Sequence, residues 1–178
     1  EQEKIVRDYL APIVEFLESA GVRVHQDWTD NSPGFKFNEW EMKGVPLRLE
    51  VGPRDVENGN MVVARRDTGD KSFLSKDEAV AQIPDLLEEI QKGLFQQALI
   101  FQQENTHKVS TYDELKKVIK EGGFVRCGWD GTDETEARVK EDIKATIRCI
   151  PMSENPEGLT CVYSGKPAKH EVIYAKAY

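Results

Sequence analysis

Residues 32–55 are rich in aromatic, acidic and arginine side chains, and their order limits the secondary structure that this segment can form. Residues 35–43 predict a short helix, and Gly44 provides its stop. The following residues, 47–51, alternate apolar and charged side chains, which predicts a strand with one apolar face and one charged face. The segment therefore predicts a helix followed by a strand that carries charges on the exposed face of a small sheet.

Helical and strand-like patterns alternate along the rest of the chain. Helices are predicted at 2–20 (with a kink or a new first turn at Pro12), 75–105 (interrupted near Pro84), 112–120 and 133–140. Strands are predicted at 22–26, 61–66, 71–74, 124–127, 146–150 and 170–176, with turns at 52–55 and at Asn58-Gly59. The resulting fold class is α/β (α+β), with small mixed sheets and flanking helices.

The chain carries a formal net charge of −8, which argues against a general binder of polyanions, because such proteins need a basic surface. Residues 34–75 are balanced, with seven Lys/Arg and seven Asp/Glu. If this segment binds RNA, we expect contacts with bases to matter more than attraction to phosphates.

Cysteine usage and hydropathy indicate the compartment. The odd set Cys127, Cys149 and Cys161 occurs without secretory features, which favours a reducing, cytoplasmic location. No apolar run approaches the ~20 residues of a membrane helix, and no signal-peptide pattern is present. We expect Cys127 and Cys149 to be ordinary buried small residues.

Unpaired bases are one class of ligand that these residue types suit. Phe37 and Glu41 lie four positions apart on one helical face, and Arg48 lies on the polar face of the strand. Arginine can donate to the O6 and N7 acceptors of guanine, a carboxylate can accept from its donors, and a ring can stack on a base. The alternative is a solvated surface on which Glu41, Arg48 and Asp55 pair only with one another. Trp40 is expected in the core.

Residues 32–69, including Val-Ala-Arg-Arg-Asp-Thr-Gly at 63–69, closely resemble the anticodon-binding domain of prolyl-tRNA synthetases. In that family this helix, strand and turn read the two adjacent guanines that proline anticodons share. The resemblance implies these tRNA-binding residues: Phe37 for stacking, Glu41 and Arg48 for guanine edges, and Arg54 with Asp55 at the following turn. Relatives often have lysine where Arg54 stands, which keeps the charge but changes the donor geometry.

The end of the chain carries a second resemblance. Residues 140–151, 165–170 and 175–178 are similar to the additional C-terminal domain of the archaeal and eukaryote-like branch of this family. Members of that branch end in tyrosine, as this sequence does at Tyr178. The resemblance implies that this tail approaches the active site of the catalytic domain.

In many members that C-terminal domain binds zinc through four cysteines. The matching positions here are Asp130, Thr135, Cys161 and Ser164, and a different register would recruit Cys127. Because threonine and serine are very poor zinc ligands, we expect no metal. We expect hydrogen bonds among Asp130, Thr135 and Ser164 to replace the cross-link that the metal supplies.

The resemblance implies three parts: an anticodon-binding domain at 1–75 that lacks its first strand, connecting helices at 76–105, and the C-terminal domain at 106–178. The missing strand would leave one sheet position unpaired. The chain is then expected to be a C-terminal fragment of a class II aminoacyl-tRNA synthetase, a ligase of protein biosynthesis that joins proline to its tRNA. ATP and Mg²⁺ serve the catalytic domain of the full enzyme, and no catalytic residue or cofactor is expected in this fragment. The expected partners are the tRNA for proline, the N-terminal catalytic domain of the same chain and a second copy in a homodimer, with no membrane.

One alternative is a freestanding RNA-binding or protein-interaction module that keeps this fold without a catalytic partner. A related synthetase for histidine, threonine or glycine is a further alternative, and the stretch 40–55 argues against it because those relatives lack this run. The sequence contains no GxxxxGK[ST] phosphate loop and no convincing nucleophile–base pattern.

Overall fold

The computed structural model describes residues 1–176, which divide into two compact units, Glu1–Gln96 and the part that begins at Gln97. Each unit combines a small sheet with helices, which confirms the predicted α/β (α+β) class. The finer division at residues 75 and 105 stays a prediction. The two units are described separately below.

The first unit builds a three-stranded antiparallel sheet from described residues, in the order β1-β2-β3. Its elements are α1 (Gln2–Ser19), α2 (Pro33–Met42), β1 (Leu47–Glu50), α3 (Pro53–Asn58), β2 (Asn60–Arg65), β3 (Lys71–Ser75) and α4 (Lys76–Glu104), the last of which continues past Gln96. The core joins one face of the sheet to α1 and the start of α4, through Ile13, Leu17, Met61, Val63, Ala79 and Ile83. The opposite sheet face carries the polar side chains of β1, as the alternation over 47–51 predicted.

Strand register places two cations in one row across that polar face. Arg48 of β1 lies opposite Ala64 of β2, and Ala64 lies opposite Lys71 of β3. Directly opposed residues of neighbouring strands point to the same face. A methyl group therefore separates two long basic side chains, and it leaves space between them.

Three predictions for the first unit are wrong. Residues 22–26 form no strand, because no described strand pairs with their backbone, although Val22 and Val24 pack against the core. The predicted turns at 52–59 are instead the short helix α3, which Gly59 ends with a left-handed φ of 66°. Helix α4 runs through Pro84 without interruption, because burial of Ala79 and Ile83 on the sheet and Ile90 beyond the proline outweighs the lost hydrogen bond.

The second unit contains a four-stranded sheet in the order β4-β5-β7-β6, in which β4 and β5 are parallel and the other pairs antiparallel. Its elements are β4 (Thr106–Lys108), α5 (Tyr112–Glu121), β5 (Phe124–Trp129), α6 (Asp133–Ile143), β6 (Ala145–Cys149) and β7 (His170–Lys176). Thr111 and Glu114 form the predicted capping box of α5. The core is formed by Leu115, Ile119, Val125, Cys127, Val139, Ala145, Val162, Val172 and Tyr174.

A loop lies closely against the end of β5 at Gly128. A side chain at this position would collide with the carbonyl oxygen of Thr160, and its Cβ would lie 2.9 Å from the Cβ of Ala168. The close approach permits two backbone hydrogen bonds, from Val162 N to the Gly128 carbonyl (3.2 Å) and from Lys169 N to the Trp129 carbonyl (2.8 Å). Position 128 therefore requires glycine for packing reasons.

The cysteines occupy two kinds of environment. Cys127 and Cys161 are buried, and burial raises the pKa of the Cys127 thiol to about 12, which leaves it unreactive. Cys149 is exposed, so the expectation that it is buried is wrong. Cys149 ends the outermost strand of the sheet, beyond a register shift between β6 and β7, where no further strand covers it within residues 1–176.

Candidate nucleic-acid interface

Helix α2 presents its side chains to solvent rather than to the core. The hydroxyl of Ser32 accepts from the Phe35 amide at 3.4 Å, Pro33 occupies the first turn, and the helix ends at Lys43 before Gly44, whose φ is 84°. None of its ten residues is buried. The helix therefore acts as a platform that directs aromatic and acidic side chains toward the polar face of β1.

Arg48 is the centre of this platform. Its Nη1 lies 2.6 Å from Glu41 Oε1 on α2, while its Nε and Nη2 lie 3.1 and 3.0 Å from Glu50 Oε1 on the same strand. The Arg48 side chain is 18% exposed and that of Glu41 is 50% exposed. Glu50 also accepts from Lys71 Nζ at 2.9 Å. Glu50, the inner carboxylate, thus fixes one edge of Arg48, and Glu41, the outer carboxylate, is accessible.

Arg48 retains hydrogen-bonding capacity in this arrangement. A guanidinium has five N–H donors, and three of them serve Glu41 and Glu50. The unused donors lie on the two terminal nitrogens, which are the atoms that reach a base edge. Glu41 likewise uses only Oε1, so its second oxygen is available to accept.

The ring of Phe37 packs against Arg48. The Cζ atom of Arg48 lies 3.9 Å from the ring centroid, and Lys71 Nζ lies 5.4 Å from it. This cation–π contact helps to orient the guanidinium. It also occupies one face of the ring, so a base that stacks on Phe37 must use the other face.

Trp40 is not in the core, contrary to the prediction. Its ring is half-buried, 4.1 Å from the His25 ring, and its indole N–H donates to Asp27 Oδ2 at 2.8 Å. Hydrogen bonds from Thr29 and then from Trp40 hold the pKa of Asp27 far below its usual range. The indole N–H needs a polar partner, and the loop supplies that partner at the surface.

These groups surround a pocket of about 160 Å³. Its lining residues are Trp40, Glu41, Val45, Arg48, Ala64, Arg65, Arg66, Gly69 and Lys71. Ala64 lies between Arg48 and Lys71, so its small side chain is what leaves the pocket open. The pocket combines an aromatic wall with donors and one accessible acceptor, which is a suitable composition for a nucleobase.

The structure brings together only part of the predicted set. Glu41, Arg48 and Phe37 meet, whereas Arg54 and Asp55 lie on α3, outside the pocket lining. Asp55 Oδ2 accepts from the Gly52 amide at 2.7 Å and so stabilises the start of α3. Asp55 therefore does not pair with Arg48, so the alternative of a surface on which Glu41, Arg48 and Asp55 pair only with one another is wrong for that carboxylate.

Sequence reasoning missed the roles of Arg66 and Lys71, which line the pocket, and of Glu50, which lies outside the lining but pairs with both Arg48 and Lys71. The available signal was the same-face alternation of Arg48 and Glu50, together with consecutive basic residues at 65–66 on the returning strand. Lys71 could not be placed, because its proximity to Arg48 depends on the register of three strands.

Comparisons with known proteins identify the family of this chain. Residues 1–86 match the family model of the anticodon binding domain, and residues 112–178 match the model of the prolyl-tRNA synthetase C-terminal domain. The chain belongs to the prolyl-tRNA synthetase family. Both resemblances stated for the sequence are thereby confirmed, while its branch within the family stays a prediction.

Relatives of this family in three bacteria are named proline–tRNA ligase. The protein of Chloroherpeton thalassium is 52% identical over 92% of this chain, that of Phocaeicola vulgatus 47% over 93%, and that of Porphyromonas gingivalis 43% over 100%. The matched regions are 36%, 34% and 36% of those proteins. The chain thus spans about a third of the length of the curated relatives it matches.

The C-terminal domain of this prolyl-tRNA synthetase relative contains a second polar cluster, which surrounds Asp130. Its Oδ2 accepts from the Ser164 hydroxyl at 2.6 Å and from the Thr135 hydroxyl at 2.9 Å, and its Oδ1 accepts from the Thr132 hydroxyl at 2.8 Å. Thr132 also caps α6, whose positive helix end favours the nearby carboxylate. Desolvation alone would raise the pKa of Asp130, but the hydrogen bonds from Ser164, Thr132 and Thr135 lower it to about 2.

The structure therefore brings Asp130, Thr135 and Ser164 together, as predicted, whereas Cys161 contributes no side-chain hydrogen bond to this cluster. Within residues 1–176, no group of three or more His, Cys, Asp or Glu side chains is placed to hold a metal ion. Tyr178 lies outside the described residues, and its predicted role stays a prediction.

The second unit also contains a shallow surface feature outside both clusters. A broad depression of about 490 Å³ in the second unit is lined by residues 155–160 with Pro167 and Ala168, and Glu157 is its only charged lining residue. It lacks the convergent polar groups of a binding site. No helix within residues 1–176 is long and apolar enough to cross a membrane.

Proposed function

We propose that this chain recognises the anticodon of the tRNA for proline, by reading its two adjacent guanines in the pocket around Arg48. One observation carries the proposal: Glu50 holds one edge of Arg48, while each terminal nitrogen of Arg48 keeps an unused N–H and the carboxylate of Glu41 is half exposed. Arg48 then donates to guanine O6 and N7, and Glu41 accepts from N1–H and the N2 amino group.

Binding in this way requires the Glu41–Arg48 pair to exchange partners. The pair is partly solvated, so its own contribution to stability is of the order of 0.2–1 kcal/mol. A bidentate base contact discriminates by about 1–3 kcal/mol, which exceeds that loss. Phe37 supplies a stacking face, and exposed Arg54 with Asp55 would contact the RNA from α3, outside the pocket.

The decisive experiment measures binding of the 178-residue chain to a hairpin RNA that carries a proline anticodon. Each guanine is replaced in turn by inosine, which lacks the N2 donor, and by 7-deazaguanine, which lacks the N7 acceptor. We expect the inosine penalty to disappear in Glu41→Ala and the 7-deazaguanine penalty to disappear in Arg48→Ala, and a double-mutant cycle measures each loss. Equal binding of a hairpin in which adenine replaces both guanines would overturn the proposal.

For the whole protein, we propose the activity that the names of its relatives state, ligation of proline to its tRNA. A catalytic domain of the same chain would use ATP and Mg²⁺, and the full protein would act as a cytoplasmic homodimer. This chain would contribute tRNA selection and support of the catalytic domain. Aminoacylation assays of the full-length protein, with tRNA whose anticodon guanines are altered, test this division of roles. The altered guanines should affect the selection of the tRNA and no other step.

We further propose that the Asp130 cluster replaces a metal cross-link in the C-terminal domain. Three hydroxyl groups on one carboxylate connect the start of α6 to the loop that carries Ser164. Measurement of bound zinc in purified protein tests this proposal, and we expect far less than one ion per chain. Near-stoichiometric zinc that is lost in Asp130→Ala would contradict it.

A further inference from the structure

We infer that Arg66 binds a phosphodiester group of the RNA backbone at the rim of the Arg48 pocket, an inference that rests on the proposed function. Arg66 lines the pocket, follows directly after β2 and has an exposed side chain. Its backbone is fixed, because its amide donates to the Pro46 carbonyl at 3.0 Å. The strand end thus holds an exposed guanidinium at a defined place beside the base-reading groups.

The charge distribution around the pocket singles out this residue. Arg48 pairs with Glu41 and Glu50, and Lys71 pairs with Glu50. Arg65 is neutralised by two further carboxylates, Asp67 at 2.8 Å and Glu89 at 2.7 Å. Among the cations that line the pocket, only Arg66 has no carboxylate partner within residues 1–176. An incoming anion therefore displaces no existing ion pair at Arg66, whereas it would compete with a carboxylate at every neighbour.

A phosphate suits this group better than a base edge does. The arginine fork matches two phosphate oxygens, and weak hydration of the guanidinium makes its transfer to an anion favourable. Contacts with phosphates position a nucleic acid, while contacts with bases specify its sequence. Arg66 would set the position of the RNA strand, and Glu41 and Arg48 would read its bases. Residues 34–75 have no net charge, and Arg54 and Arg66 are the two cations of this described segment without a carboxylate partner. Of these two, only Arg66 lines the pocket.

The test compares Arg66→Gln and Arg66→Lys with the original 178-residue chain, using the proline-anticodon hairpin at about 50–200 mM KCl. We expect Arg66→Gln to weaken binding by ~3- to 10-fold at the lowest salt and to reduce the slope of log K against log salt by about 0.7. The preference for guanine over adenine should not change. Arg66→Lys keeps the charge and should retain most of the affinity and the slope.

The matched control is Lys4→Gln, which removes one positive charge from an exposed position on α1 that does not line the pocket. An equal loss in Lys4→Gln would indicate a general charge effect and overturn the inference. So would an unchanged salt slope in Arg66→Gln, or a loss of guanine preference in that variant with the slope intact. If the original chain shows no guanine preference, the proposed function fails. If the preference persists and the Arg66→Gln slope is unaltered, only the role of Arg66 fails.

Discussion

In the first unit Arg48 shares its guanidinium between two carboxylates and a ring, whereas in the second unit Asp130 shares its carboxylate among three hydroxyl groups. Glu41 is half exposed, but Thr135 is only 6% exposed. A polar group at the surface can exchange its partner for water or a ligand. The buried Thr135 hydroxyl has only the neighbouring Thr132 hydroxyl left as a partner if it loses Asp130, so water does not readily replace the carboxylate. The first cluster is therefore suited to binding and the second to holding the fold.

The largest expected effect follows from removal of the shared acceptor in the second cluster. Asp130→Ala leaves three hydroxyl groups without their carboxylate, and we expect the free energy of unfolding to fall by about 3 kcal/mol. Urea denaturation followed by tryptophan fluorescence measures the change. The control Glu157→Ala removes an exposed carboxylate and should stay within about 0.5 kcal/mol. Weaker RNA binding by folded Asp130→Ala would contradict the division into a binding cluster and a structural cluster.

The first cluster should show the opposite behaviour when its shared donor is removed. Arg48→Ala should lower the discrimination between guanine and adenine by about 1–3 kcal/mol at one anticodon position. Its unfolding free energy should change less than that, because its ion pairs are partly solvated. Competition binding with paired hairpins measures the first quantity and urea denaturation the second. If Arg48→Ala loses stability but keeps its preference for guanine over adenine, then Arg48 stabilises the fold and does not read the base.

Acid should weaken the second cluster, because protonation of Asp130 removes the charge that its hydroxyl partners stabilise. The folded-state pKa of Asp130 is lowered to about 2 from an ordinary 3.8, so its contribution to stability is complete above the ordinary value. That contribution is lost as the pH falls from about 4 toward about 2. Glu171, whose pKa is also lowered by Arg126, adds to the same slope, so the informative quantity is the difference between the original chain and Asp130→Asn. Parallel stability curves for the two proteins over this range would contradict the assignment.

The smallest expected effect concerns the carboxylate behind Arg48. Glu50→Gln weakens the hold on the inner edge of the guanidinium and on Lys71, and we expect hairpin affinity to fall by about 2- to 5-fold. Discrimination should fall only slightly, since Arg48 itself remains. Glu39→Gln is the matched control, because Glu39 pairs with Lys43 on the exposed side of α2. Equal effects in both variants would mean that Glu50 does not position Arg48.

Local patterns predicted the elements whose stability is local. The alternation over 47–51 placed the polar and apolar faces of β1, and the Thr111–Glu114 capping box placed the start of α5. Segments whose structure depends on distant partners were misread. Residues 22–26 have the alternation of a strand but no described neighbour, and Asn58-Gly59 ends a helix rather than turning a hairpin.

The candidate site was partly predictable for the same reason. Glu41 and Arg48 lie on adjacent elements, so their meeting follows from short-range geometry. The opening between Arg48 and Lys71 depends on Ala64 at the matching register of β2, which no sequence spacing states. The Asp130 hydrogen bonds join residues up to 34 positions apart, and only the resemblance to the family brought them to attention.

The glycine at position 128 has a consequence for the loop beside it. Main-chain hydrogen bonds at residues 128 and 129 secure that loop without help from any side chain, so the Asp130–Ser164 hydrogen bond is a second, separate attachment. Loss of the side-chain attachment should leave the loop held by its backbone, whereas any Cβ at position 128 would push the loop away at the Thr160 carbonyl.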